Sequence, residues 1–283
     1  MARPRILLSN DDGIHARGLR TLADALEPLG ELWIVAPDRN QSGTSHSISL
    51  HDPLRIKRIE ERRFSVDGTP TDCVYLALHH ILPGPPDIVF SGTNHGPNLG
   101  NDVLYSGTVS AAMEGALFGY RAVAMSLALD EKSRERDRPP HFESAGRIAV
   151  SLFDGVMARP MPPGVLLNVN VPDVPHEKIK GTKLCRLGFN DWAESVSERQ
   201  DPRNRPYYWI GGTRKARDEV LGSDVNAVAD HLVSVTPIHY DLTDYRSFSY
   251  VRDLPLDGVE RVEDDLGDGP LPHPVHPKRG KET

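Results

Sequence analysis

Short unbroken apolar runs recur along this chain, each closed by a polar turn and followed by a segment of different periodicity. Residues 5–9 (RILLS), 31–36 (ELWIVA), 87–90 (DIVF), 121–127 (RAVAMSL) and 165–171 (VLLNVNV) are such runs. A strand covered on both faces by helical crossovers reads this way, because no position is left for water. Between the runs, apolar residues fall at i, i+3, i+4 and i+7: Leu19, Leu22, Ala23 and Leu26, then Val109, Ala112, Met113 and Ala116, then Ala145, Ile148, Ala149 and Leu152. Strands alternating with helices predict an α/β fold with a doubly wound, mostly parallel, Rossmann-like sheet over residues 1–175. Residues 47–59 and 64–66 alternate only partly and suit an antiparallel flap. Thr69-Pro70-Thr71-Asp72 reads as a helix start, with Thr69 as the cap and Pro70 at the first helical position. His79 and His80 then fall inside that helix rather than among ligands.

Doubly wound sheets bind ligands beyond the carboxyl ends of their strands. Three polar clusters stand at those ends: Asn10-Asp11-Asp12, residues 38–45, and residues 91–98. The third opens a long Gly- and Asn-rich loop that runs into a helix beginning Ser106-Gly107-Thr108. A helix N-terminus offers unpaired N–H groups and partial positive charge, and Gly107 lets the backbone approach an anion closely. The plainer reading of such a loop is a connection that uses Gly and Asn for left-handed backbone. Adjacent carboxylates at Asp11 and Asp12 repel each other and call for a counter-charge, which a hard divalent cation supplies through oxygen ligands. Taken alone, Asp11-Asp12-Gly13 also fits an ordinary turn.

Composition narrows the classes. A net charge of −7 and no long basic run argue against nucleic acid as a partner. The densest basic group, Arg55, Lys57, Arg58, Arg62 and Arg63, is interrupted by Glu60 and Glu61 and suits a solvated strand face. No apolar stretch approaches the ~20 residues of a membrane span, and the chain opens on a strand rather than a signal peptide, so a cytoplasmic location is expected. Cys73 and Cys185 form no CxxC pattern, and the histidines show no HExxH. Neither a GxxxxGK loop nor a GxGxxG after the first strand is present, which disfavours a nucleotide triphosphate or nicotinamide site.

Past Pro172 the pattern changes. Strand-like runs at 183–187, 207–210 (YYWI) and 232–236 (LVSVT), broken by Pro and Gly, predict a β-rich arm and return segment over 176–252. Tyr207-Tyr208-Trp209 is either an exposed patch that seeks a partner or a core contribution within the chain. Residues 253–283 turn acidic and then Pro-rich, as a disordered tail does.

These motifs together resemble the SurE survival-protein family of 5′-nucleotidases. The likeness runs through ILLSNDDGIHARG, VAPDRNQSGTSHSIS, GTPTDCVYLAL, SGTNHGPNLGNDVLYSGTVSAAMEGA, LNVNVP, DPRNRPYYWIGG and DVNAVADHLVSVTPIHYD, covering about residues 3–245. The resemblance implies a divalent-metal-dependent phosphatase acting on nucleoside 5′-monophosphates, with 3′-nucleotides and short polyphosphate as further substrates. It places one divalent cation per subunit (Mg²⁺, Mn²⁺ or similar) on Asp11, Asp12, Ser42 and Asn94, with Asp11 and Asp12 catalytic. It places phosphate on Asn98, Ser106, Gly107 and Thr108, and it implies a homodimer or homotetramer joined through the C-terminal arm. Ser223-Asp224 stands where the family pattern has Thr-Asp. His46, His95 and bulk water remain open as the acid for the leaving alkoxide. A metal-free nucleotide-binding module and an interaction protein are the alternatives from other classes.

Overall fold

The structure is a computed structural model that describes residues 3–129, 138–189, 195–211, 217–252 and 254. Most of the charged 130–140 loop and, Leu254 aside, the predicted tail from 253 onward lie outside the described residues. In chain order the elements are β1 (Arg5–Ser9), α1 (Arg17–Leu26), β2 (Glu31–Pro37), β3 (Ile56–Glu60), β4 (Arg63–Val66), α2 (Pro70–Leu76) and β5 (Ile88–His95). Then come α3 (Gly107–Leu117), β6 (Arg121–Ala128), α4 (Phe142–Ala158), β7 (Val165–Pro172) and β8 (Thr182–Leu184). The chain closes with β9 (Ser195–Gln200), β10 (Pro206–Gly211), α5 (Asp224–Ala229), β11 (Val233–His239) and α6 (Phe248–Arg252).

One nine-stranded sheet has the order β3-β4-β2-β1-β5-β6-β7-β11-β8. Its middle is parallel: β1 pairs with β2 on one side and β5 on the other, and β6 and β7 continue from β5. The direction of winding therefore reverses between β1 and β5, and a crevice opens at their carboxyl ends. Both flanks carry antiparallel pairs, β3 with β4 and β11 with β7. The predicted flap is realised only as the β3–β4 edge: residues 47–55 form no strand, and β4 itself joins β2 in parallel. Within the predicted arm, β8 and β11 extend the main sheet, while β9 and β10 stand apart as an antiparallel hairpin.

Each face of the sheet buries its own core. Ile6, Leu8, Phe90 and Met125 pack against Leu19, Leu22 and Leu26 of α1 and Phe142, Ala145 and Ala149 of α4. Leu7, Val35, Val66 and Val89 meet Cys73, Val74 and Ala77 on the other face, under α2. Val109, Ala112 and Ala116 of α3 cover Ala122, Ala124 and Leu166. Fully burying a Leu, Ile or Phe contributes about 1.5–3 kcal/mol, so these side chains, wholly shielded from water, fix the strand register. The α2 start is as read from sequence: Thr69 accepts from the Asp72 N–H at 3.1 Å, and Asp72 accepts from the Thr69 N–H at 2.9 Å. His79 and His80 lie in the π-helical turn that ends this helix. On the hairpin, Tyr207, Tyr208 and Trp209 are 39, 58 and 62 % exposed, which decides their reading as an exposed patch. Among the described residues, no helix is long and apolar enough to cross a membrane.

Candidate metal and phosphate site

The three polar clusters meet at the crevice. β1 ends at Ser9 and hands over to Asn10, Asp11 and Asp12 beside the end of β5. Asp11 is 3 % exposed, and its Oδ1 accepts from the Thr108 hydroxyl at 2.5 Å. Asp12 Oδ2 accepts from the His95 N–H at 2.9 Å, and its Oδ1 faces Asn40 Nδ2 at 3.4 Å. The loop after β2 is tied to the same place, since the Gln41 N–H donates to the Asp11 carbonyl at 2.7 Å. Ser42 follows directly, exposed, with its N–H donating to Asn40 Oδ1 at 2.9 Å. Asn94 sits at the end of β5, its Nδ2 turned to the Gly96 carbonyl at 2.9 Å, so that its Oδ1 is the oxygen left to serve as a ligand. Asp11, Asp12, Ser42 and Asn94 thus come from the ends of β1, β2 and β5 and stand on neighbouring turns.

Two hard carboxylates, one amide oxygen and one hydroxyl make a donor set suited to a hard divalent cation. Among the described residues, neither carboxylate makes an ion pair with Lys or Arg. Burial raises the Asp11 carboxyl to about 6, against the lowering effect of the Thr108 hydroxyl, and the charge of Asp12 raises it further. Burial raises Asp12 as well, while the His95 N–H and imidazole lower it. Carboxyls held up by burial next to each other are those that a cation would relieve. The donor set fits the metal that the sequence implied.

The α3 N-terminus lies against Asp11. Ser106 caps it, its Oγ accepting from the Val109 N–H at 3.1 Å and so keeping its own proton to donate. Gly107 is required by close approach: a Cβ there would stand 2.8 Å from Asp11 Cβ and 3.1 Å from its Oδ2. Thr108 commits its hydroxyl proton to Asp11, so it orients that carboxylate at the helix start where the resemblance implies phosphate. Asn98 is also buried, and its Nδ2 donates to Ser126 Oγ at 2.8 Å, leaving one amide hydrogen.

Sequence reasoning missed what holds Asn98. Its N–H donates to Asn170 Oδ1 at 2.8 Å, and its carbonyl accepts from Asn168 at 2.8 Å and Asn170 at 3.0 Å. The signal was present in VLLNVNV, where Asn occupies alternate positions, hence one face, of an otherwise apolar strand. The restraints on the 38–55 loop were missed too. Ser45 Oγ donates to the Leu104 carbonyl at 2.6 Å, His46 Nε2 meets Glu114 Oε2 at 2.8 Å, and Ser49 Oγ donates to Asp72 Oδ2 at 2.7 Å. His46 is therefore paired with α3, and His95 stands beside Asp12.

Known proteins are similar to this chain in sequence and in fold. The family described as Survival protein SurE matches residues 6–194. A protein named 5′-nucleotidase SurE from Anaeromyxobacter dehalogenans is 52 % identical over 261 residues, covering 91 % of this chain and 98 % of that protein. One of the same name from Myxococcus xanthus is 49 % identical over 263 residues, covering 92 % and 97 %. The crystal structure of the SurE protein from Aquifex aeolicus superposes with a TM-score of 0.78 at 41 % identity, covering 88 % of this chain and all of the other. With the match extending from β1 to the root of the hairpin, and relatives near half identical over almost their whole length, this chain belongs to the SurE family.

Proposed function

We propose that this chain is a 5′-nucleotidase that hydrolyses nucleoside 5′-monophosphates to nucleoside and phosphate with one divalent cation per subunit. The observation that carries the reading is a carboxylate pair at a sheet's switch point, Asp11 buried and Asp12 half-buried, with Asp11 pressed against a helix N-terminus and, among the described residues, neither paired with Lys or Arg. Relatives about half identical bear the name 5′-nucleotidase.

Asp11, Asp12, Ser42 and Asn94 would hold the cation. Bound there, it supplies positive charge to a phosphoryl oxygen and acidity to a water molecule. The protein's own groups do the rest. Ser106 donates its hydroxyl to a phosphoryl oxygen, and the first N–H groups of α3 offer donors where charge spreads in the transition state. Thr108 keeps the Asp11 carboxylate facing the cation site, and its hydrogen bond lowers that carboxyl toward the ionised form. Asp12, fixed through the His95 N–H, is placed to orient the attacking water. Because the phosphoryl group is gripped chiefly by backbone and hydroxyl donors, 3′-nucleotides and short polyphosphate fit the same cradle. The exposed aromatic hairpin joins subunits into a homodimer or homotetramer.

The test is hydrolysis of a nucleoside 5′-monophosphate by metal-stripped protein. Activity should vanish with chelation and return with Mn²⁺ or Mg²⁺. Full turnover in excess EDTA would remove the metal from the reading, and binding of the nucleotide without turnover under every metal would favour the binding-module alternative.

A further inference from the structure

Among the described residues, one carboxylate that the proposed reaction does not use is wholly buried. Asp224 opens α5, on the segment by which the chain returns from the hairpin to the sheet, and it is wholly shielded from water. Among the described residues it pairs with no cation. Its oxygens accept instead from three backbone N–H groups on three different segments. Oδ1 takes the Gly188 N–H at 2.8 Å and the Val225 N–H at 2.9 Å, while Oδ2 takes the Gly100 N–H at 2.9 Å.

Those segments matter. Gly188 lies on the leg that leaves the sheet for the hairpin, and the neighbouring Phe189 N–H donates to Asp218 Oδ2 on the returning leg at 3.0 Å. Asp218 is in turn held by Ser223 Oγ at 2.7 Å and Asn226 Nδ2 at 2.9 Å. The two legs are therefore stapled where they join the body. Gly100 belongs to the other side: it begins the 3-10 turn Gly100–Leu104, whose end delivers Ser106 to the start of α3. That turn is anchored at Asn98 by Ser126, Asn168 and Asn170, all from the sheet. Among the described residues, Asn98 is held by side chains of the sheet, whereas Gly100 is held by Asp224 of the hairpin root.

We propose that Asp224 is a positioning residue that couples the root of the hairpin to the phosphate-binding turn, so that anion binding at Ser106–Thr108 and order at the hairpin root support one another. This rests on the reading of Ser106–Thr108 as the phosphate cradle. The coupling is reciprocal: whatever seats the hairpin root holds Gly100, and whatever seats the turn holds Gly188. A subunit whose hairpin is docked on a partner then binds phosphate more tightly than one whose hairpin is free.

The test uses the full-length protein with Mn²⁺ present throughout and inorganic phosphate as the probe. In wild-type protein, saturating phosphate should slow amide hydrogen exchange across 98–109 and also at Gly188 and Val225. Protection confined to 98–109 overturns the coupling and leaves the cradle intact. Protection nowhere overturns the cradle, and the coupling with it. Asp224→Asn keeps the shape but sets an NH₂ against a backbone N–H, so phosphate inhibition should weaken about tenfold or more. The nucleotide KM should rise by a similar factor, kcat less, and half-saturating Mn²⁺ should stay unchanged, because Asp11, Asp12, Ser42 and Asn94 lie outside the turn. Gly188→Ala reaches the same carboxylate from outside, since a Cβ there would stand 3.1 Å from Asp224 Oδ1 and 2.1 Å from Asp218 Oδ2. It should weaken phosphate too, and the double variant should be no worse than Asp224→Asn alone. Wild-type phosphate inhibition in either folded variant, or losses that simply multiply in the double variant, would overturn the proposal. Should Asp224→Asn fail to fold, Gly188→Ala and the exchange experiment decide.

Discussion

Two opposing influences meet on the Asp11 carboxylate. Burial favours its neutral form, and the Thr108 hydroxyl with the backbone around it favours the charged form. In metal-free protein its carboxyl stays near 6, above the 3.8 of an unfolded chain. A raised carboxyl stabilises the fold below the unfolded value, and that contribution is lost as pH climbs through the folded one. Metal-free wild type should therefore lose on the order of 3 kcal/mol relative to Asp11→Asn between about pH 4 and pH 7. Urea unfolding of both proteins across that range measures it, and a difference that does not change with pH would refute the assignment. Thr108→Val tests the same carboxylate from its partner. It removes one charge-assisted hydrogen bond, about 1.5–3 kcal/mol, so kcat/KM should fall roughly ten- to a hundredfold. Because the hydroxyl also lowers the Asp11 carboxyl, the acid limb of the pH–rate profile should move to higher pH. A variant with only a uniform loss of rate would mean that the hydroxyl serves the anion alone.

Helix ends and strand ends, more than whole elements, define the site. The close contact of α3 with the turn after β1 predicts that Gly107→Ala abolishes turnover, because its Cβ must displace either Asp11 or Pro70, whose Cγ would be 3.1 Å away. Circular dichroism should show the fold retained, with activity down by at least a hundredfold, about 3 kcal/mol in the barrier; near-normal activity would show that α3 can withdraw. How much of this was readable beforehand follows from the same geometry. β1, β2, β5 and β6 announce themselves because burial on both faces leaves a continuous apolar run, and β7 does so although Asn168 and Asn170 interrupt its run. The capped start of α2 is equally local, since Thr69 and Asp72 are three residues apart. The polar clusters could be assembled by topology alone, as strand ends in a wound sheet point one way. The bracket around Asn98 could not, for Asn168 and Asn170 reach it from 70 and 72 residues away. The place of β8 was also hidden, because three residues are too few to carry a period and its partner β11 lies beyond the hairpin.

At the scale of the molecule, the described residues form a wound sheet and a hairpin that pairs with none of its strands. Val196, Tyr208, Trp209 and Ile210 expose between 58 and 93 % of their surface, a cost in water that a second copy of the chain would relieve. Replacing residues 190–216 with a short Gly/Ser link should yield a monomer by light scattering with the main sheet intact, since β8 and β11 are retained. An undiminished oligomer would put the contact elsewhere on the body.

The central place of β1 also sets the order in which the molecule can be made. Ile6 pairs with Leu32 on one side and with Ile88 on the other, so the first strand synthesised keeps an open edge until the fifth emerges. Parallel pairing over such separations forms slowly, and unpaired edges invite association with other nascent chains. A ribosome-bound fragment that stops before β7 already carries every expected metal ligand but lacks Asn168, Asn170 and Asp224. On the proposed reading, competence to hold phosphate arises late in translation, once the residues that hold Asn98 and Gly100 have been made.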